Sequence, residues 1–166
     1  TFAQTGQRRR SASTLPQFHE MLVTTPMTNQ TTPQPSQQAV THEESTLTTA
    51  DGLQLFAQVW HAATPKATVA LIHGIAEHSS RYRHVGEYLA GCGYNVYTFD
   101  LRGHGRSPGK RSLVRQMQEY TDDVGAFLTW VRTMVPDLPL FLLGHSMGGL
   151  IVSYYVLSQT PDLPID

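Results

Sequence analysis

The segment Leu140–Gly149 constrains the fold more than any other part of the chain. It opens with four apolar residues, continues as Gly-His-Ser-Met-Gly and leads into a run of helical character. This order predicts a buried strand, a sharp turn with Ser146 at its tip, and a helix. Side chains at Gly144 and Gly148 would crowd such a strained turn. We interpret the segment as a nucleophile elbow, in which the start of the helix faces a developing oxyanion.

The composition of the 166-residue chain excludes several classes of protein. A net charge of −1 gives no electrostatic footprint for nucleic acid, so no nucleic-acid partner is predicted. No apolar run approaches the length of a membrane-spanning helix. The single cysteine, Cys92, rules out an internal disulfide and favours a reducing, cytoplasmic compartment.

Residues 1–44 are predicted to form a disordered tail. The segment Thr24–Val40 consists almost entirely of Thr, Gln, Pro, Ser and Asn, and such a composition buries too little apolar surface to order itself. A polybasic anchor at Arg8–Arg10 is the weaker, functional alternative for this tail. The folded part is expected to begin near Ser45 and to reach Asp166.

From Thr68 onward, the hydrophobic pattern predicts alternating strands and helices, which is the order of a parallel sheet covered on both faces. A hairpin turning at Asp51 and Gly52 is expected to lead into it. The fold class is therefore α/β, with a mostly parallel sheet and a leading antiparallel hairpin. The predicted strands are 45–49, 53–60, 68–72, 94–99 and 140–143, and the predicted helices are 80–90, 114–134 and 147–157. Tyr82 is assigned to the apolar face of the first helix, and the last helix, apolar nearly all round, is expected to be buried.

Three unusual segments follow the three predicted parallel strands: His73-Gly74, Asp100–Ser107 and the elbow. The carboxyl ends of parallel strands meet at one edge of a sheet, where α/β proteins form their sites, so we expect these segments to surround one site. A nucleophilic serine there needs main-chain donors for an oxyanion. The amide of Met147, which follows the serine, and that of Ile75 are predicted to supply them.

The serine also needs a histidine base and an orienting carboxylate. In an elbow-bearing fold the triad follows the order serine, acid, histidine, but no histidine follows Ser146. His73, His104 and His145 precede it, each within its own glycine-bounded turn, and are poor candidates for the base. A zinc site formed by these three and His78 has no ligand spacing typical of a metal motif, so neither a metal nor a cofactor is predicted.

The length gives a second reason to expect a partial domain. An α/β domain of this kind commonly needs about 200–250 residues, which is more than lie between Ser45 and Asp166. The apolar strand at 140–143 would then form a bare sheet edge. We therefore predict that the chain is the N-terminal half of a larger enzyme, inactive and poorly soluble by itself.

Three motifs resemble the α/β-hydrolase superfamily: His73–Tyr82 (His-Gly-Ile-Ala-Glu-His-Ser-Ser-Arg-Tyr), Asp100–Gly109 and Gly144–Gly149. The resemblance is strongest to the monoacylglycerol lipase and lysophospholipase branch, which overlaps the serine aminopeptidase grouping. It implies an α/β-hydrolase fold truncated after the elbow helix. It also implies hydrolysis of carboxylic esters, monoacylglycerols or lysophospholipids first among them, by an acyl-enzyme mechanism without cofactor. The alternatives are a general esterase, a serine aminopeptidase and a non-catalytic half-domain that binds a partner.

The resemblance also implies roles for individual residues. Those that it places at or around the site are Ser146, Ile75, Met147, His73, Gly74, Glu77, His78, Arg81 and His145. Ser146 would be the nucleophile, and Ile75 and Met147 would give the oxyanion-hole amides. Glu77 and Arg81 would pair and shape the loop behind the hole.

Further implications concern the surroundings of the site. His78 would lie near the polar end of the substrate, and Asp100–Gly109 would pack beneath the site in a structural role. The acid, the histidine and a lid over the acyl pocket would lie beyond Asp166. The partner is therefore expected to be a small lipid or ester, with peripheral membrane contact through the lid.

Overall fold

The computed structural model describes residues 39–158 and 165–166. The fold described below lies within residues 33–166. Up to residue 38, the predicted tail lies outside the described residues. The predicted boundary after residue 44 is wrong, because the first strand begins at Thr41, which already pairs with His61 of the next strand.

The described residues form five strands and three α-helices: β1 (Thr41–Thr48), β2 (Gln54–His61), β3 (Ala67–Ile72), α1 (Arg83–Gly91), β4 (Tyr94–Phe99), α2 (Met117–Met134), β5 (Leu140–Gly144) and α3 (Met147–Ser158). A 3-10 helix, Ser79–Tyr82, precedes α1. The strand order is β1-β2-β4-β3-β5. β3 pairs in parallel with β4 and β5, whereas β2 runs antiparallel to β1 and β4. Only β2 opposes the common direction, so the predicted sheet with its leading hairpin is confirmed.

The helices cover the sheet on both faces because side chains alternate along each strand. Val59 and Tyr97 pack in the cluster that includes Phe127 of α2. Their neighbours Trp60 and Val96 point the other way and pack beside α1. Burial on both faces explains why β3 and β4 are mostly apolar rather than alternating between apolar and polar residues.

On the α1 side, helix and sheet approach very closely at Gly86. A Cβ atom at this position would overlap the indole ring of Trp60, which is completely buried. The ring of His42 stacks on the same indole, with 4.9 Å between ring centroids. The absence of a side chain at Gly86 therefore brings β1, β2 and α1 together around one tryptophan.

Two helices begin later than the sequence pattern indicates. α2 begins at Met117 rather than Val114, because Gln116 still has an extended backbone (φ −154°, ψ 154°). Val114 instead packs against the core from the preceding loop. The helix predicted from residue 80 starts as the 3-10 helix and becomes α-helical at Arg83.

The prediction that α3 is buried is wrong. Ile151 and Tyr155 lie in the core, but Leu150 is 59% exposed and Leu157 is 87% exposed. The inner face of α3 packs against β5 and α2, and no described element covers its outer face. A helix that is apolar all round is buried only where neighbours exist on every side, which the sequence of the helix does not encode.

β5 is an edge strand in the sheet of the described residues. Phe141 and Leu143 are 45% and 47% exposed on the α1 side. On the free edge, the N–H of Asp166 donates to the carbonyl oxygen of Leu140 (2.9 Å), and the Asp166 carboxylate accepts the N–H of Leu140 (2.8 Å). No other strand of the described residues pairs with this edge of β5, as the length argument predicted.

Candidate active site

Ser146 lies in the turn between β5 and α3 and has a left-handed backbone conformation, with φ at 53°. Such a conformation is unfavourable for a residue with a side chain and persists only where the surroundings impose it. A Cβ atom at Gly144 would overlap the carbonyl of Gly148, and one at Gly148 would overlap the carbonyl of Ile72. The predicted crowding at both glycines is confirmed, and the turn leaves Ser146 exposed.

The three loops at the carboxyl edge of the sheet are joined by hydrogen bonds. His145 donates its main-chain N–H to the last carbonyl of β3 (3.0 Å), which ties the elbow to that strand. Gly74 lies against the elbow, since a Cβ there would stand 3.2 Å from Cβ of Ser146. The N–H of Leu101, after β4, donates to Nε2 of His73 (3.0 Å). The segments that the sequence placed at one edge are therefore in contact.

His73 is fully buried and uses both ring nitrogens. Nδ1 donates to the carbonyl oxygen of Gly74 (2.7 Å), and Nε2 accepts from Leu101. Burial lowers the pKa of His73, so the ring is neutral. A trans peptide holds its C=O and N–H on opposite sides, so the bond to Gly74 turns the N–H of Ile75 away from His73. His73 orients this peptide group and is not available as a base.

The two predicted main-chain donors are free of internal partners. Neither the N–H of Ile75 nor that of Met147 donates to an acceptor within the described part of the chain. Met147 is the first residue of α3, where the positive end of the helix dipole adds to the amide. Met147 follows Ser146 directly, and Gly74, which precedes Ile75, lies against Ser146. Free amides close to an exposed serine can bind an oxygen that acquires negative charge.

Glu77 collects the polar contacts beside the elbow. Its Oε2 atom accepts the Tyr82 hydroxyl (2.6 Å) and the Gly74 N–H (3.0 Å) and lies 3.3 Å from Nδ1 of His145. The bond from Tyr82, followed by that from Gly74, lowers the pKa of Glu77 to about 2. The predicted pair with Arg81 is present, but its Nε–Oε1 distance is 3.5 Å and the Arg81 side chain is 62% exposed. It therefore constrains Glu77 less than the contacts on Oε2 do.

Tyr82 is the residue of this cluster that the sequence analysis missed. The hydrophobic pattern assigned it to an apolar helix face, but its hydroxyl lies between Glu77 and Nδ1 of His145, 2.8 Å from the latter. Burial and the Glu77 carboxylate raise the pKa of Tyr82 to about 12, so the hydroxyl keeps its proton near neutral pH. Its position five residues after Glu77 in the first motif was the available signal.

The loop after β4 has the structural role that was expected. The buried carboxylate of Asp100 accepts the N–H and the hydroxyl of Ser79 (both 2.6 Å) and the N–H of Arg106 (2.7 Å). A Cβ at Gly105, whose φ is 46°, would overlap this carboxylate. Asp100 therefore fastens the loop to the 3-10 helix that follows the Glu77 segment.

The remaining candidate histidines have other surroundings. His104 is buried, with Nδ1 3.1 Å from the carbonyl oxygen of Arg102 and its ring 5.3 Å from that of His73. His78 is exposed just before the 3-10 helix. Across residues 39–158 and 165–166, no three His, Cys, Asp or Glu side chains are grouped so as to hold a metal ion. No helix in the same residues has the length and apolarity needed to cross a membrane.

The parallel strands, the elbow and the flanking helices define an α/β-hydrolase fold. A solved monoglyceride lipase from Saccharomyces cerevisiae has the same arrangement, with a TM-score of 0.63 and 30% sequence identity. The similarity covers 71% of this chain and 39% of the yeast chain. The predicted fold is therefore confirmed.

Sequence similarity identifies the family to which the chain belongs. A family model described as serine aminopeptidase, S33 matches residues 63–164, and the chain belongs to this family. A monoacylglycerol lipase from Mycolicibacterium smegmatis is 40% identical over 116 residues, or 69% of this chain and 41% of the relative. Phospholipase YtpA from Bacillus subtilis is 43% identical over 100 residues, or 60% of this chain and 38% of the relative. The chain thus spans about two fifths of the length of these relatives, and the predicted resemblance is confirmed.

Proposed function

We propose that this chain is part of a serine hydrolase that cleaves carboxylic esters of lipids, with monoacylglycerols or lysophospholipids as substrates. The observation that carries the proposal is the exposed Ser146, held at positive φ next to Met147 and in contact with the Gly74–Ile75 segment. The amides of Ile75 and Met147 have no acceptor among the described residues. The names of two relatives, a monoacylglycerol lipase and a phospholipase, support the substrate class. We also propose that the protein contacts a lipid surface peripherally, because such a surface is the source of these substrates.

In this mechanism Oγ of Ser146 attacks the ester carbonyl carbon while a base removes its proton. The charge that develops on the carbonyl oxygen is stabilised by the N–H groups of Ile75 and Met147, and the loss of one such donor costs about 2.7–4 kcal/mol. The alcohol leaves with a proton, and the acyl group remains on Ser146. Water then hydrolyses this acyl-enzyme and restores the serine.

The base is proposed to come from outside this chain. His73 has both nitrogens engaged, and Nδ1 of His145 is directed at Tyr82 and Glu77. In this fold the acid and the histidine of the triad follow the serine. We therefore place both in the remaining part of a longer protein and expect no ester turnover by the 166-residue chain alone.

A fluorophosphonate probe tests the nucleophile in a full-length form, that is, one spanning the length of the relatives. We expect covalent labelling that Ser146→Ala abolishes. Ser153→Ala is the matched control, since Ser153 is an exposed serine of α3 whose hydroxyl bonds only to the carbonyl oxygen of Gly149. An unlabelled wild-type protein would favour the non-catalytic binding role, and labelling that persists in Ser146→Ala would remove Ser146 from the mechanism.

Amides are a second candidate class of substrate. The family description names an aminopeptidase, and an aminopeptidase cleaves amides rather than esters. Comparison of kcat/KM for a monoacylglycerol, a lysophospholipid, a p-nitrophenyl ester and a prolyl anilide separates the candidates. We expect the highest value for a lipid ester. A higher value for the prolyl anilide would overturn the lipid assignment and keep the serine mechanism, and a preference for the short ester would indicate a general esterase.

A further inference from the structure

A continuous chain of hydrogen bonds crosses from the loop after β3 to the elbow. It begins at the N–H of Gly74, which donates to Oε2 of Glu77 (3.0 Å). It continues through the Tyr82 hydroxyl (2.6 Å from Oε2) to Nδ1 of His145 (2.8 Å). Gly74 immediately precedes Ile75, and His145 immediately precedes Ser146. The chain therefore joins the two backbone segments that carry the proposed oxyanion donor and the proposed nucleophile.

The protons in this chain have one consistent arrangement. Glu77 is ionised near neutral pH and can only accept. The Tyr82 hydroxyl has a single proton, which must lie in the 2.6 Å contact with Glu77, because two bare oxygen atoms at that distance would repel each other. The Tyr82 oxygen then accepts from Nδ1 of His145, which places a proton on Nδ1.

The other contacts of Glu77 are less suited to hold the two segments together. Arg81, in the 3-10 helix, pairs with Glu77 at an Nε–Oε1 distance of 3.5 Å, and most of its side chain is exposed. Nδ1 of His145 is 3.3 Å from Oε2 of Glu77, longer than its 2.8 Å contact with the Tyr82 oxygen. Tyr82 thus makes the shortest polar contacts both with Glu77 and with His145. Its ring also packs edge-on against that of His145, with 6.1 Å between centroids.

We propose that Tyr82 is a positioning residue for the reaction, which fixes the distance between the oxyanion-hole amide of Ile75 and Ser146 by bonding to Glu77 on one side and His145 on the other. This inference rests on the proposed function. Its chemical consequence is specific. Donors for an oxyanion act mainly in the transition state, so the loss of the Tyr82 hydroxyl lowers kcat and leaves KM nearly unchanged.

The test is Tyr82→Phe in the full-length form, because phenylalanine keeps the ring and removes only the hydroxyl. We expect fluorophosphonate labelling and ester kcat to fall about tenfold, which corresponds to about 1.36 kcal/mol of transition-state stabilisation. Tyr154→Phe is the matched control. Tyr154 is an exposed tyrosine of α3 whose hydroxyl bonds to no residue in the described part of the chain, and its removal should change neither rate.

Nitrogen-15 chemical shifts of His145 supply the readout that a merely structural role would not move. The wild type should carry a proton on Nδ1, and Tyr82→Phe should lower the fraction of molecules that carry it. Wild-type labelling and kcat in Tyr82→Phe, or an unprotonated Nδ1 of His145 in the wild-type protein, would overturn the inference while the proposed function stands. An unlabelled wild-type protein would overturn the proposed function, and this inference with it.

Discussion

The turn that carries Ser146 depends on the absence of a side chain at Gly148. A Cβ atom at this position would overlap the main-chain carbonyls of Ile72 and His73. These carbonyls belong to a buried strand end and have no room to move. Gly148→Ala should therefore lower the free energy of unfolding by about 1–3 kcal/mol, as overpacking does. Chemical denaturation measures the change.

Gly125→Ala in α2 is the control for this substitution. A Cβ there would stand 3.5 Å from the Tyr155 ring, an ordinary contact, and alanine favours a helix by about 0.5–1 kcal/mol over glycine. The control should be neutral or slightly stabilising. Equal destabilisation by both substitutions would show that crowding at the elbow is not the cause.

Among the groups whose pKa is lowered in the folded protein, His73 and Glu77 should each make acid weaken it, over two different pH ranges. The pKa of His73 lies below its ordinary value of 6.5 because of burial, so the unfolded chain binds a proton first and stability falls as the pH drops below about 6.5. The pKa of Glu77 falls from 4.5 to about 2, chiefly through the bond from Tyr82, so a second loss begins near pH 4.5 and continues toward pH 2.

Unfolding free energies measured at pH 7.5, 5.5 and 3.5 test this expectation. Glu77→Gln should flatten the loss between pH 5.5 and 3.5, because the amide does not titrate, and should leave the loss between pH 7.5 and 5.5 in place. A pH profile that is unchanged by Glu77→Gln would show that Glu77 has no depressed pKa in the folded protein.

Single residues were predictable from sequence where the reason is local. Ser146 and its flanking glycines lie within five positions, and the steric demand of the turn can be deduced from them alone. Tyr82 was not predictable in this way, because its partner His145 lies 63 positions away and the hydroxyl had no local reason to be singled out. The pattern that correctly located a helix thereby misplaced one of its first side chains.

At the scale of elements, one buried ion pair fastens α2 to the loop after β4. Arg102 makes two bonds to the carboxylate of Asp123, Nε to Oδ2 (2.7 Å) and Nη2 to Oδ1 (2.6 Å), and Asp123 is completely buried. Nη1 reaches Asp51 in the β1–β2 turn (3.0 Å). Three parts of the fold therefore meet at one guanidinium, which is 10% exposed.

Arg102→Leu should cost about 3–5 kcal/mol of unfolding free energy, because it leaves the Asp123 carboxylate buried without a partner. Arg83→Ala is the comparison, since Arg83 pairs with Glu87 at 3.7 Å on an exposed face of α1. Such surface pairs contribute about 0.2–1 kcal/mol. Comparable losses for both variants in denaturant unfolding would contradict the assigned role of Arg102.

The existence of each element could be predicted, but its surroundings could not. Hydrophobic periodicity predicted every strand and helix of residues 41–158, because the spacing of apolar residues shows which face of an element packs against the core. It does not record whether a second neighbour covers the other side. That is why α3 was expected to be buried and is instead exposed at Leu150 and Leu157, whereas β3, with helices on both sides, met the expectation.

At the scale of the whole chain, apolar side chains of β5 and α3 remain accessible. Phe141 and Leu143 border an apolar cavity of about 380 Å³ together with Leu89 of α1. An exposed edge strand with such side chains favours association between molecules. The 166-residue chain should therefore self-associate as its concentration rises, and sedimentation velocity measures this.

Phe141→Lys should shift the distribution toward monomer, because a charge on the edge strand opposes pairing. Thr133→Lys adds the same charge on an exposed position of α2 and should leave association unchanged. A chain that stays monomeric at every concentration would show that the exposed strand is not adhesive. The sequence anticipated this edge from length alone, through the shortfall against a typical domain.

The close contact between Trp60 and Gly86 has a spectroscopic consequence. Trp60 is shielded from water between α1 and His42, whereas Trp130 in α2 is only half-buried. The two indoles should therefore fluoresce at different wavelengths, the former bluer than the latter. Replacing Trp130 by phenylalanine would leave Trp60 as the one tryptophan, and a red shift of its emission would report when the α1 layer separates from the sheet.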